Sequence, residues 1–155
     1  MGMGKIGVKL AQMLQAFGCR VIYTANSDHH NEWEYCSKED LLKQSDIISL
    51  HIPLKEDTVN YIDEAELKLM KKSAILVNVA RGKVVNNAKL YEYLKNGSIA
   101  SAALDVTDPE PLNDVDIANL PNLLITPHIG TAAAYTRKKM TEAALRNLVK
   151  LLEEE

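Results

Sequence analysis

Three side chains of catalytic type stand where apolar runs of the chain end: Arg81 in VNVARGKVVN, Glu110 in ALDVTDPEPL and His128 in LLITPHIGTA. A guanidinium can clamp a carboxylate through paired hydrogen bonds. An imidazole moves a proton near neutral pH, and a third group beside it fixes its orientation. Taken singly, each has an ordinary reading: a surface arginine, an acidic proline turn, a histidine that packs or caps. Glu110 sits between Pro109 and Pro111, which stiffen its position, and Asp105 closes a run of small apolar residues just before it. His29, His30, Trp33 and Cys36 also lie close in sequence, but with no regular ligand spacing, and a metal is not expected.

The chain opens MGMGKIGVKLAQMLQAFG. Gly2, Gly4 and Gly7, with Lys5 and Ile6 between them, spell G-x-G-x-x-G, a loop whose backbone N–H groups hold a pyrophosphate at a helix N-terminus. That loop normally follows a β-strand, and here only Met1 precedes it. The next apolar run, RVIY (20–23), leads to the place where an acidic residue would hold the adenosine ribose, which falls at about Ala25, beside Thr24 and Asn26. No carboxylate repels a 2′-phosphate there, and no Arg or Lys attracts one. Asn26 and Ser27 can hydrogen-bond it, as can His29 or His30 when protonated, while Asp28 serves NAD if the loop bends back. The balance leans slightly to NADP.

Elements that position these residues follow from the pattern. RVIY (20–23), DIISL (46–50), AILVN (74–78), IASAAL (99–104) and LLIT (123–126) read as buried strands, with a short extra one at EYC (34–36). They are near-continuous apolar runs, as parallel strands covered on both faces should be. Between them lie helices. Ser37 with Asp40 makes a capping box, DEAELKLMKK buries Leu67 and Met70 and ends in lysines, and NAKLYEYLKNG stops at Gly97. The last segment, AAAYTRKKMTEAALRNLVKLLEEE, is a long helix whose acidic end should fray. The alternation predicts an α/β fold with a doubly wound parallel sheet of Rossmann type. Ligands of such sheets bind beyond the carboxyl ends of the strands. An Arg, a Glu and a His at three such ends of one nucleotide fold exceed coincidence.

Composition sets the outer bounds. The chain has 155 residues, 46% of them hydrophobic and 25% charged, which suits one globular domain. A net charge of −3 without any basic run argues against a nucleic-acid surface. No apolar stretch reaches the roughly 20 residues that span a bilayer, so no membrane partner is expected. There is no leader pattern, and Cys19 and Cys36 make no disulfide framework, so a cytoplasmic location is expected.

GMGKIG, LHIPL, VNVARGKVVN, ALDVTDPEPL and ITPHIG together resemble the D-isomer-specific 2-hydroxyacid dehydrogenases, across the whole chain. DVTDPEPL with LPNLLITPHIGTA is most similar to the glyoxylate and hydroxypyruvate reductase branch; phosphoglycerate and D-lactate dehydrogenases carry altered versions. Glu110 speaks against the formate dehydrogenase branch, which has Gln in that role. The resemblance implies an NAD(P)-dependent enzyme that moves hydride between nicotinamide and a small 2-oxo or D-2-hydroxy acid. Arg81 would bind the substrate carboxylate and polarise the 2-oxo group. His128 would protonate its oxygen, and Glu110 would hold the far side of the imidazole. Asp105 would contact the nicotinamide carboxamide, and Ile52, Pro53, Val79, Ala80 and Gly130 would line the cofactor cleft, with Lys5 and Ile6 over the pyrophosphate.

The same resemblance implies that residues 1–155 form a dinucleotide-binding domain from which the family's substrate domain and central first strand are missing. A gap with unpaired backbone is expected in the sheet, together with weak or no turnover by this chain alone. A homodimer through the cofactor domain is implied as well. A non-catalytic nucleotide-binding module, or an inactive fragment, is the competing expectation. Retention of Arg81, Glu110 and His128 together argues against the module.

Overall fold

A computed structural model of the chain describes residues 1–27 and 32–153. Helix α1 (Lys5–Ala16) starts directly after Gly4. It ends where Gly18, at φ +77°, lets the Gly18 and Cys19 amides donate back to Gln15 O and Leu14 O. Strands β1 (Ile22–Tyr23) and β2 (Glu34–Tyr35) pair in parallel as a two-stranded sheet. Helix α2 (Lys38–Gln44) is capped as expected, with Ser37 Oγ accepting from the Asp40 amide at 3.0 Å. Strand β3 (Ile47–Leu50) follows, then α3 (Glu64–Leu69). Asp63 and Glu66 cap α3 reciprocally. This helix stops before Lys71 and Lys72, which the sequence pattern had placed at its end; of the two, Lys71 instead pairs with Asp46 at 2.8 Å.

Strand β4 (Ile75–Asn78), helix α4 (Asn87–Lys95), strand β5 (Ser101–Leu104), the single turn α5 (Val115–Ala118) and strand β6 (Leu123–Ile125) complete the sheet region. Gly97, at φ +69°, terminates α4 as expected. Strands β3 to β6 form a four-stranded parallel sheet in chain order. The final helix α6 (Ala134–Glu153) is the expected long one; its terminal Glu154 and Glu155, where fraying was anticipated, lie outside the described residues. Among the described residues no helix is long and apolar enough to cross a membrane.

Alternate residues of the four strands point to one face, and that face is the core. Ile48, Leu50, Leu76, Ala102, Leu104 and Leu123 are buried there with Leu41, Leu42, Leu67 and Leu90 of the crossover helices. The opposite face departs from the expectation of cover on both sides: Ile47 is 60% exposed and Leu124 63%. Helix α1 packs instead against β1, joining Ala11 to Tyr23 and Trp33, and α6 buries none of its residues.

Backbone hydrogen bonds from the first two residues join the two sheets. Met1 N donates to Ser49 O at 2.7 Å and the His51 amide donates to Met1 O at 2.8 Å, while the Gly2 amide donates to Thr24 O at 2.9 Å. Spatially the order is β2, β1, Met1–Gly2, β3, β4, β5, β6, so the chain winds outwards in both directions from the glycine loop. That reversal is the topological switch point at which such sheets bind ligands.

Candidate active site

Register brings the candidate residues to one edge. Leu50 lies opposite Asn78, Asn78 opposite Leu104, and Leu104 opposite Ile125. The segments that leave the sheet beyond those positions are therefore neighbours: His51–Pro53 after β3, Val79–Arg81 after β4, Asp105 after β5, and Thr126–Gly130 after β6. Ile52, Pro53, Val79, Ala80, Asp105 and Gly130 all lie on this edge, where Val79 and Ile129 present apolar surface.

The glycine loop completes the edge beside β3. A Cβ on Gly2 (φ +83°) would meet His51 O at 2.7 Å, and one on Gly7 would meet Gly2 O at 2.3 Å, so both glycines are set by close backbone approach. A Cβ on Gly4 would meet nothing within 4 Å. Gly4 offers no side-chain cap to α1, and the first turn carries no acidic residue. Open space above bare N–H groups at the start of a 12-residue helix, with no competing carboxylate, fits a pyrophosphate. Lys5 and Ile6 are exposed beside it. Gly7→Ala should separate the helix from Gly2 and weaken NAD(P)H binding at least tenfold, read by fluorescence titration.

Arg81 owes its place to a residue that sequence reasoning passed over. Asn78, 1% exposed at the end of β4, accepts the Ala80 amide at 3.0 Å and donates to Arg81 O at 2.9 Å. Its side chain thus moulds the turn that presents Arg81. A buried Asn ending an apolar strand was the available signal, since a buried amide must find partners. The Arg81 guanidinium is exposed and donates to Ala80 O at 2.7 Å. Nothing else among the described residues holds it.

Across the edge, the His128 ring Nδ1 lies 2.7 Å from Glu110 Oε1, with both side chains half exposed. His128 adopts φ +52°, a left-handed conformation that non-glycine residues take at a cost. Asp105 holds it there. Its carboxylate accepts from Thr126 Oγ1, from the Ile129 amide at 2.9 Å and from the Gly130 amide at 2.8 Å. Burial pushes that carboxyl up, but these bonds and nearby His128 outweigh burial and hold it below the ordinary value.

A depressed carboxyl stabilises the fold above its unfolded-state value, and that contribution disappears as pH falls through the folded one. The His128 turn should therefore stay ordered down to about pH 4 and loosen below it. Asp105→Ala should remove this contribution to the pH dependence, leaving that of the also depressed Glu64 and Glu66, and cost about 2–3 kcal/mol, because three donors lose a charged acceptor. Urea unfolding across pH checks both.

After β1, Thr24 is buried with its carbonyl on Gly2, and Asn26 is exposed. Asp28, His29 and His30 lie outside the described residues. Among the described residues no three His, Cys, Asp or Glu side chains come together as metal ligands.

A parallel sheet wound outwards from a phosphate-type glycine loop, with a histidine–carboxylate pair on the same edge, defines a dinucleotide-binding dehydrogenase domain. The family described as D-isomer specific 2-hydroxyacid dehydrogenase, NAD binding domain, matches residues 1–130. The chain belongs to that family. It is 45% identical to the glyoxylate reductase of Aeropyrum pernix over 155 residues, covering 96% of this chain and 46% of the relative. The crystal structure of a glyoxylate reductase from Paecilomyes thermophila superposes with TM-score 0.92 at 37% identity, over 98% of this chain and 48% of that one. An NADPH-dependent glyoxylate/hydroxypyruvate reductase from Sinorhizobium meliloti, in complex with NADP and malonate, gives TM-score 0.92 at 29% identity, over 96% and 47%. The chain thus spans about half the length of the relatives it matches.

Proposed function

We propose that this chain is the cofactor-binding part of an NAD(P)-dependent reductase of small 2-oxo acids, of the glyoxylate or hydroxypyruvate type. The observation that carries the reading is the 2.7 Å Glu110–His128 pair on the strand-end edge that also holds Arg81 and the glycine loop. Family relatives named glyoxylate reductase support the substrate class over 3-phosphoglycerate or D-lactate.

Gly2, Gly4 and Gly7 bind the pyrophosphate, and the apolar side chains of Val79 and Ile129 flank the cofactor cleft, which Ile52, Pro53 and Ala80 continue. Bound NAD(P)H supplies the hydride. Arg81, freed from Ala80 O, takes the substrate carboxylate as a bidentate partner and draws charge from the 2-oxo group. His128 gives a proton from Nε2 to the 2-oxo oxygen, while Nδ1–H donates to Glu110, which fixes the orientation of the ring. Asp105 sets the turn from which that ring projects. A carboxylate-free position at Ala25 leaves a 2′-phosphate unopposed, so NADPH is accepted at least as well as NADH.

The test is a fluorescence titration with NADPH and NADH, followed by turnover of glyoxylate. Saturable binding of NADPH, abolished by Gly7→Ala and untouched by His128→Ala, supports the reading. Absence of binding by either cofactor overturns it. Turnover by residues 1–155 alone should be weak, because Arg81 is open to water and nothing among the described residues encloses the substrate.

A further inference from the structure

Glu110 is carried by a segment with little backbone bonding of its own. Strand β5 ends at Leu104, and the Asp105 amide still donates to Asn78 O at 3.0 Å. Beyond it, among the described residues, 106–113 make no backbone–backbone hydrogen bond before Asp114 caps α5. Pro109 and Pro111 have no N–H to offer. The Glu110 carboxylate nevertheless meets Nδ1 of His128 at 2.7 Å, although both side chains are half exposed and little packed. Such a bond has narrow limits of distance and angle, so the backbone beneath Glu110 must be held by something else.

Thr107 supplies that hold. Its Oγ1 donates to Pro109 O at 2.8 Å. The acceptor oxygen belongs to the planar peptide group whose nitrogen is that of Glu110, so the bond fixes the plane from which the Glu110 side chain departs. Thr107 is fixed in turn: it is 7% exposed, and its carbonyl lies so close to Gly82 that a Cβ added there would overlap it. Thr107 thus stands with its backbone against the turn of Arg81 and its hydroxyl on the turn of Glu110. Two residues earlier in the same segment, Asp105 holds the turn of His128 through the Ile129 and Gly130 amides. Both members of the pair are therefore anchored from the exit of β5.

We propose that Thr107 is a positioning residue for proton transfer: its hydroxyl, bonded to Pro109 O, sets Glu110 against Nδ1 of His128 and so keeps Nε2 directed at the substrate. This rests on the reading of Glu110 and His128 as the proton-donating pair, and adds the group that aligns them. Serine can make the same bond. Valine has nearly the same shape but leaves Pro109 O without its donor. The tautomer of the imidazole reports the difference. With Glu110 in place, a neutral His128 ring keeps its proton on Nδ1, where it donates to the carboxylate. With Glu110 free to swing away, that proton is shared with Nε2.

Ring nitrogen chemical shifts of His128 in the full 155-residue chain, recorded at about pH 9 where an ordinary imidazole is neutral, read that partition. Thr107→Val should lower the Nδ1–H population about twofold or more, towards that of Glu110→Ala, and Thr107→Ser should retain it. In the Glu110→Ala background Thr107→Val should change nothing further, because it acts only through that carboxylate. An unchanged tautomer in Thr107→Val overturns the proposal, as does an equal loss in Thr107→Ser or a further loss in the double variant. Should the valine variant not fold, the unsubstituted chain decides: near neutral pH the bonded Thr107 hydroxyl proton should exchange slowly enough to give its own resonance, and its absence overturns the proposal. None of these readouts requires NAD(P)H or glyoxylate, so the result stands apart from those of the cofactor titration and the turnover assay.

Discussion

Gly82→Ala should lower the unfolding free energy by about 3 kcal/mol or more, the largest stability loss expected from any single methyl added to this chain. A Cβ at Gly82 would lie 1.9 Å from Thr107 O, 2.3 Å from the Thr107 carbonyl carbon and 2.9 Å from the Asp108 nitrogen. All three are backbone atoms, so no rotamer change relieves the overlap. Retreat of Gly82 is blocked from the other side as well. Its carbonyl accepts from Asn87 Nδ2 at 2.9 Å, that same amide holds Val85 O at 2.8 Å, and Val84 and Val85 are in the core.

The contact joins the exit of β4 to the exit of β5, and therefore the turn of Arg81 to the segment that leads to Glu110. Opening it would separate the two sides of the proposed site. Gly97→Ala supplies the comparison: Gly97 sits at φ +69° with nothing within 4 Å of a new Cβ, so only conformational strain is added, about 1 kcal/mol. Urea unfolding of the two variants should separate them by about 2 kcal/mol or more, and similar values would mean that the β4–β5 contact yields easily.

That contrast marks where sequence reasoning stopped. The strands were legible because parallel strands are long apolar runs, and DIISL, AILVN and LLIT each contain one. Strand ends were legible too, because Pro53, Arg81, Asp105 and Pro127 each interrupt an apolar run, and binding follows strand ends in this topology. RVIY shrank to Ile22–Tyr23, the two residues that pair with Glu34 and Tyr35 of the equally short β2. Gly82 gave no signal: its φ is ordinary, and only the approach of Thr107, 25 positions away in the segment that follows β5, makes it indispensable. Asp105 illustrates the same limit. Nothing in the sequence indicates that its carboxylate accepts from Thr126, Ile129 and Gly130. A grip of that kind depends on β5 lying beside β6, which the register establishes and composition does not.

His128→Ala should cut turnover by about 10²–10⁴-fold in a complete 2-oxo-acid reductase built on this chain, while NADPH affinity of the chain changes less than twofold. The asymmetry follows from position. His128 leaves the sheet after β6, two strands away from β4 and three from β3, at whose far edge the glycine loop lies. Among the described residues its side-chain partner is Glu110, and the ring is half exposed, so removing it exposes no core and should shift stability by less than about 1 kcal/mol.

Glu110→Gln keeps a hydrogen-bonding group against Nδ1 but replaces the carboxylate by a neutral amide that holds the ring less firmly, and should reduce turnover by a smaller factor. Because Glu110 acts through His128, the double variant should be no slower than His128→Ala alone, the non-additivity expected of groups that work as one unit. Additive losses would instead give Glu110 its own contact with the substrate. An unchanged rate in His128→Ala would remove the imidazole from the reaction and leave Arg81 as the sole polarising group on this edge.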